Sequence, residues 1–205
     1  MSILKKVLLV LVIGVGGFVA FAATRPDNYR VERSQHIDAP ADVVYAQLDN
    51  FKAWGSWSPW EKRDPAMKKT FDGPPSGVGA GYSWEGNKEV GQGHMTITES
   101  KPPRGGSTEA AELTIRLEFI KPFASVATSG FVVKSEGDKA STATWSMEGR
   151  NNLMGKVFSV FMNMDKLIGG DFEKGLGSLK TVAEAQAQKA ATANAAPAAQ
   201  AAAAP

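Results

Sequence analysis

Residues Leu153-Met154-Gly155-Lys156-Val157-Phe158-Ser159-Val160-Phe161-Met162-Asn163-Met164-Asp165-Lys166-Leu167-Ile168-Gly169-Gly170-Asp171-Phe172-Glu173-Lys174-Gly175-Leu176-Gly177-Ser178-Leu179-Lys180 decide how the rest of this chain is read. Leu153, Val157, Val160, Phe161, Met164, Leu167 and Ile168 recur at steps of three and four, the spacing of one apolar helix side. Lys156, Ser159, Asn163 and Lys166 fall on the opposite side. The pattern predicts one helix from Asn152 to about Glu184. Such a helix must bury its apolar side, and a series of short strand-like segments precedes it between residues 30 and 150. The simplest solution lays the helix across a sheet.

The clearest strand is Leu113, Ile115, Leu117 and Phe119, alternating with Glu112, Thr114, Arg116 and Glu118. Weaker strand signals mark Tyr29–Ile37, Met67–Phe71, Ala80–Trp84, Val126–Val133 and Thr142–Glu148. In one further strand Met95 and Ile97 oppose His94, Thr96 and Thr98. Gly73-Pro74-Pro75-Ser76-Gly77, Gly86-Asn87-Lys88 and Gly137-Asp138 supply turns. Short turns between alternating strands predict an antiparallel sheet with one wet face. After the first strand, Asp38-Ala39-Pro40 opens a short helix through Leu48, with proline in the first turn, where its missing N–H costs little. Phe51, Trp54, Trp57 and Trp60, three residues apart, fit a second short helical or 3₁₀ element.

The two ends differ from this body. Lys5 and Lys6 precede Val7–Ala23, seventeen residues without a charge, which is the length of a short spanning helix. The lysine pair predicts a single-pass anchor with the N-terminus in the cytoplasm and the domain outside it. Ala20-Phe21-Ala22 resembles a signal-peptidase site, so cleavage and export is the alternative. The chain therefore divides into 1–24, anchor or signal segment; 25–184, the folded domain; and 185–205, an Ala-rich tail too uniform to pack.

A net charge of +2 with no basic stripe argues against nucleic acid as a partner. The absence of cysteine excludes disulfides and thiol chemistry. Only His36 and His94 are present, and no His/Asp/Glu cluster has zinc spacing, so neither metal nor cofactor is expected.

The opening Asp38-Ala39-Pro40-Ala41-Asp42-Val43-Val44-Tyr45, followed by Asp49-Asn50-Phe51-Lys52-Ala53-Trp54, resembles the polyketide cyclase/dehydrase and lipid-transport family. That family belongs to the START-like, Bet v 1-like (SRPBCC) superfamily. Trp57-Ser58-Pro59-Trp60-Glu61 and Asn163-Met164-Asp165-Lys166 through Gly175-Leu176 are similar to its membrane-anchored bacterial members. The resemblance covers about residues 30–183. It implies an α+β helix-grip fold: a curved antiparallel sheet wrapped around the long C-terminal helix, a ligand cavity between them, and an N-terminal transmembrane helix. The superfamily hosts binders, transporters, cyclases and hydrolases, so the fold does not choose among them.

Ser34, His36 and Asp38 suggest a triad, but strand residues two apart are separated by roughly 6.8 Å. A relay needs contacts near hydrogen-bond length. His94, opposite Met95 and Ile97, reads as a solvent-side residue and is a weak acid/base candidate. Gly77-Val78-Gly79-Ala80-Gly81 leads into a strand rather than a helix, so it is read as a bulge or curvature device and not a phosphate cradle.

The aromatics exceed what packing alone requires. Core is the bland reading of each; the functional reading makes some of them cavity wall. The predicted ligand-contacting set is Trp54, Trp57, Tyr82, Trp84, Met95, Phe119, Trp145, Phe161 and Met164, with Tyr82 and Trp84 the preferred wall residues. Asp171 stands on the buried line of a straight helix, where an unpaired carboxylate is costly. Either Gly169-Gly170 resets the helix, turning Asp171 outward and Phe172, Leu176 and Leu179 inward, or Asp171 enters the pocket to meet a ligand or an arginine. Phe158 and Met162, off the stripe, are expected under the short helices or as a lip against the bilayer. The function expected is binding or transport of a hydrophobic small molecule or lipid. The alternatives are a cyclase-, dehydratase- or hydrolase-like enzyme using His94 or Asp171, and a ligand-free interaction module at the membrane.

Overall fold

The alternating run Ala111–Lys121 forms the central strand, β5, of a seven-stranded antiparallel sheet in the computed structural model. The structure describes residues 3–104, 109–151, 153–161 and 163–202; the side chains of Met154, Met164 and residues 194–202 lie outside that description. Around β5 are β1 (Asn28–Ile37), β2 (Lys68–Asp72), β3 (Gly81–Glu85), β4 (Gln92–Lys101), β6 (Ser125–Ser135) and β7 (Ser141–Arg150). Their order is β1-β7-β6-β5-β4-β3-β2, so the first strand closes on the last. Helix α1 (Ile3–Ala23) precedes the sheet, and α2 (Ala41–Leu48), a 3₁₀ turn (Ala53–Ser56) and α3 (Pro59–Arg63) follow β1. Helices α4 (Leu153–Phe161) and α5 (Met164–Ala202) follow β7.

Every second residue of β4 to β7 faces the helices. Met95, Ile97, Leu113, Ile115, Phe131, Val133, Ala143 and Trp145 are buried there, and α5 covers them with Phe172, Leu176, Leu179 and Ala183. The register shifts at Gln92/Gly93 and Ile97/Glu99 place the bulges in β4. Gly77 and Gly79 instead take positive φ in the turn before β3, so the glycine run serves a turn and not a bulge.

The C-terminal segment departs from the predicted single helix. Asn163 ends the first piece and caps the second, its side chain accepting the Lys166 N–H at 3.1 Å. α4 therefore does not continue the core-facing stripe: Leu153, Phe158 and Phe161 are exposed, as is Leu167 in the first turn of α5. Phe158 packs on the Phe123 ring rather than under α2 or α3, and Met162 lies outside the described residues.

α5 runs unbroken through Gly169 and Gly170, so no kink resets it. Phe172, Leu176 and Leu179 face inward as expected, but Asp171 is buried beside them instead of turning outward. Gly169 has a different use: a Cβ there would lie 2.1 Å from the Arg33 guanidinium. Arg33 projects from the inner face of β1 and donates to Asp165 at 2.9 Å and Glu173 at 2.7 Å, pinning the first turns of α5. The Ala-rich segment, expected to fray, continues α5 to Ala202, consistent with alanine's helix propensity.

Leu179 is fully buried between α5 and the sheet. Leu179→Ala is expected to lower stability by about 2–5 kcal/mol through a lost contact surface and a cavity. Urea unfolding should show a lower midpoint with unchanged slope.

Candidate ligand cavity

Packing between α5 and the sheet is uneven. At the β1/β7 side Trp145 stacks on Phe172 with ring centroids 4.1 Å apart and planes 7° from parallel. Trp57 and Phe131 crowd the same ring at 5.6 and 4.9 Å. Toward β3 and β4 the wall residues do not meet the helix, and a hollow of about 470 Å³ remains. This volume falls in the range of small-molecule sites.

Its walls are mostly apolar. Tyr82 and Trp84 of β3, Met95 of β4, Ile115, Leu117 and Phe119 of β5, and Trp145 and Met147 of β7 form the sheet side. Leu167, Ile168 and Phe172 of α5 close the other side, and Trp54, Trp60 and Met67 the end. Trp84 lies at 6.0 Å edge-on to Phe119 and at 6.1 Å from Tyr82. It lies across Gly93, where any Cβ would meet the indole at 2.3 Å. The indole N–H groups are bonded to protein: Trp84 donates to the Val90 carbonyl at 3.2 Å, Trp145 to the Ser129 hydroxyl at 2.9 Å, and Trp54 to the Leu48 carbonyl at 3.0 Å. With these groups satisfied, what is left to face the hollow is largely hydrocarbon.

One corner is polar. Asp171 enters the cavity and pairs with Arg63 of α3, which answers the question its position in the helix raised. Nearby, the Tyr82 hydroxyl donates to Glu61 at 3.1 Å, and Glu61 also takes Lys69 at 2.6 Å. Burial, and then the adjacent Glu61 charge, push the Tyr82 phenol well above its ordinary pKa. The four charges cancel in pairs.

Of the predicted contact residues, Trp54, Tyr82, Trp84, Met95, Phe119 and Trp145 line the cavity. Trp57 does not: it is fully buried behind Trp54, its N–H donating to the Gln47 carbonyl at 3.1 Å. Phe161 is 74% exposed on α4, against Phe18 of α1. The Met164 side chain lies outside the described residues. His94 is on the opposite face of β4, bonded to Ser83 at 2.8 Å and Thr96 at 2.9 Å. His36 and Asp38 do meet, at 3.1 Å, closer than strand spacing implies, but the other ring nitrogen of His36 is bonded to Glu136 at 2.8 Å and Ser34 pairs with Thr144, so the three form no relay. Sequence reasoning missed Arg63, Glu61 and Met147; the Met147 alternation with Trp145 was the available signal. Among the described residues no group of three or more His, Cys, Asp or Glu is placed to hold a metal ion.

The family described as polyketide cyclase/dehydrase and lipid transport matches residues 29–184. No curated protein sequence matches. Among solved structures, a hypothetical protein from Helicobacter pylori superposes with a TM-score of 0.57 at 9% identity, covering 76% of this chain and 88% of its own. Norcoclaurine synthase from Thalictrum flavum, in complex with dopamine and hydroxybenzaldehyde, gives 0.51 at 11% identity over 76% and 86%. A Thermobifida fusca protein solved by solution NMR gives 0.52 at 22% identity over 74% and 90%. These structures share the helix-grip fold.

The chain has three tyrosines, and burial raises the pKa of Tyr29, Tyr45 and Tyr82 alike. Because the folded values lie above the unfolded value of about 10, stability is unaffected below pH 10 and falls as pH rises past it. Phenolate absorbance at 295 nm is expected to rise only above the ordinary tyrosine range, with the Tyr82 share, the most strongly displaced, appearing together with the loss of circular dichroism. Ionisation of all three phenols near pH 10 in the folded protein would contradict the burial of these hydroxyls.

Proposed function

The chain belongs to the polyketide cyclase/dehydrase and lipid transport family, and we propose that its domain binds a hydrophobic small molecule or lipid in the cavity between sheet and α5. The single observation that carries this reading is the aromatic-walled hollow of about 470 Å³ between the sheet and α5. Burial of apolar ligand surface supplies roughly 25 cal/mol per Å², with no covalent step required. The Arg63–Asp171 and Lys69–Glu61 pairs neutralise the inner polar corner, while Glu89, exposed to solvent, adds a negative charge to the lining. A ligand with an apolar body and one uncharged polar group suits that corner, since a charged group would leave a charge uncompensated in a dry site.

One relative of this fold is a synthase whose structure holds dopamine and hydroxybenzaldehyde. An enzymatic reading of the present cavity would rest on Tyr82, Glu61 and Asp171, the titratable groups that converge on its polar corner. Each is already engaged by a neighbour, which favours binding over proton transfer.

α1 is the one helix among the described residues long and apolar enough to cross a membrane. We assign it as an uncleaved anchor that holds the domain on the periplasmic face of a bacterial inner membrane, on the strength of Lys5 and Lys6 before the apolar run.

Trp84→Ala and, separately, Phe119→Ala should weaken uptake of a fluorescent fatty-alcohol probe by about tenfold, some 1.4 kcal/mol. His94→Ala, on the outer face of β4, should leave it unchanged. Unaltered affinity in both wall variants, with circular dichroism intact, would remove the cavity reading. Native mass spectrometry of the full chain extracted from its own cells identifies any co-purified ligand by mass.

A further inference from the structure

We propose that α4 and the β5–β6 turn form an apolar lip immersed in the phospholipid bilayer, in the leaflet from which α1 emerges, seating the rim of the cavity on the membrane surface. The inference rests on the anchor reading of α1, and a separate probe tests that reading below.

The first observation is two exposed apolar groups in contact. Leu153, Phe158 and Phe161 of α4 are exposed, as are Ile120, Phe123 and Val126 around the β5–β6 turn. The two groups touch through the Phe123 and Phe158 rings, 6.0 Å apart. Surfaces of this kind are rare on a soluble domain without a partner.

The second observation fixes where that surface lies. The Phe18 ring of α1 packs on Phe161 at 5.5 Å. Lys156 of α4 donates to the Ala23 carbonyl at 3.1 Å and pairs with Asp27, while the Asn151 N–H donates to the Asp27 carbonyl at 2.7 Å. α4 is thus tied to the last turns of α1. The apolar run Val7–Ala23 would span roughly 26 Å at 1.5 Å per residue, less than the bilayer's hydrocarbon core of about 30 Å. So short a run has no length to spare for lifting its end clear of the lipid. Phe18 precedes Ala23 by five residues, about 7–8 Å along the axis. The ring beside it is carried to the same depth, which is that of an interfacial amphipathic helix.

The third observation is the sheet register. Asn28, next to the anchor, pairs with Arg150, and Gly149 pairs with Ala127, so the β5–β6 turn lies at the anchored end of the sheet. The β6–β7 turn, with exposed Lys139, is at the far end. The lip also joins the cavity. Phe119 lines the hollow immediately before Ile120, and Leu167, exposed after α4, lines it from α5.

Because the protein has no cysteine, single-cysteine variants of the full chain report position directly. Phe161→Cys, Phe158→Cys, Phe123→Cys, Lys139→Cys and Val12→Cys are labelled with the fluorophore NBD and reconstituted in phosphatidylcholine vesicles, with and without doxyl-labelled lipid. At 161, 158 and 123 we expect blue-shifted emission quenched severalfold by doxyl lipid, as at 12 within α1, whereas 139 emits as in water and is not quenched. Aqueous spectra at 161, 158 and 123 with a lipid-quenched 12 would overturn the lip and leave the anchor standing. A blue shift without doxyl quenching would also overturn it, giving the face to a second protein copy. An aqueous signal at 12 would overturn the anchor and the lip together.

Discussion

The flat stack of Phe172 on Trp145 is the contact on which the architecture depends. It brings α5 against β7, the strand that joins β1 to the rest of the sheet. Gly175 makes the approach possible, because a Cβ there would lie 2.7 Å from the indole. Once the helix is seated this low at one edge, the twist and bulges of the sheet carry β3 and β4 away from it. The core is filled on the side of Trp57, Phe131 and Leu179 and hollow on the side of Tyr82, Trp84 and Met95. One placement of one helix produces both halves.

Electrostatics fix that placement along the helix axis. Arg33 lies on the inner face of β1 with only 25% of its side chain exposed, where a guanidinium needs its donors filled. Asp165 and Glu173, eight residues apart on α5, fill them from both sides of Gly169. The pairing holds Asp165 below the usual carboxylate range. At the other end of the domain, Lys180 bonds Asp38 at 3.0 Å and pairs with Glu184, tying the helix to the start of the α2 segment. Such partly exposed pairs add little stability individually. Their service is registry: sliding α5 by one turn would strand Arg33 and move Phe172 off Trp145.

The sheet was legible in the sequence because its signal is local. Period-two alternation in 111–121 or 141–150 needs no knowledge of partners, and the turn glycines mark the ends. The resemblance carried by 38–54 and 163–176 supplied the topology. The C-terminal helices were misread because apolar spacing says which residues share a side but not what covers that side. The stripe through Leu153 and Phe161 turns toward α1, and Asn163, read as a polar-face residue, is the cap at which one helix ends and another begins. Asp171 was recognised as anomalous, yet its partner Arg63 is 108 residues away and carries no local mark. Trp54 and Trp57 were indistinguishable in sequence for a similar reason. Trp54 lies in the 3₁₀ turn and lines the hollow, whereas Trp57, just past the end of that turn, lies behind Trp54.

A hollow bounded by large apolar side chains should close by rotamer changes unless something resists. Here the resistance is built into the polar edges of the rings. Trp84, Trp145 and Trp54 each have the N–H committed to a backbone carbonyl or a buried hydroxyl, so turning inward would abandon a hydrogen bond in a dry site. Tyr82 is held by Glu61, and Glu61 by Lys69. Gly93 removes the one Cβ that would lift Trp84 off the sheet, and the bulge at Gln92/Gly93 sets the strand's path beneath it. The Arg63–Asp171 pair braces α3 against α5 across the remaining gap, and neither member moves without leaving a charge uncompensated. Hydrogen bonds and ion pairs at the periphery thus hold an apolar space open, so a ligand entering it meets walls already in place and need not order them.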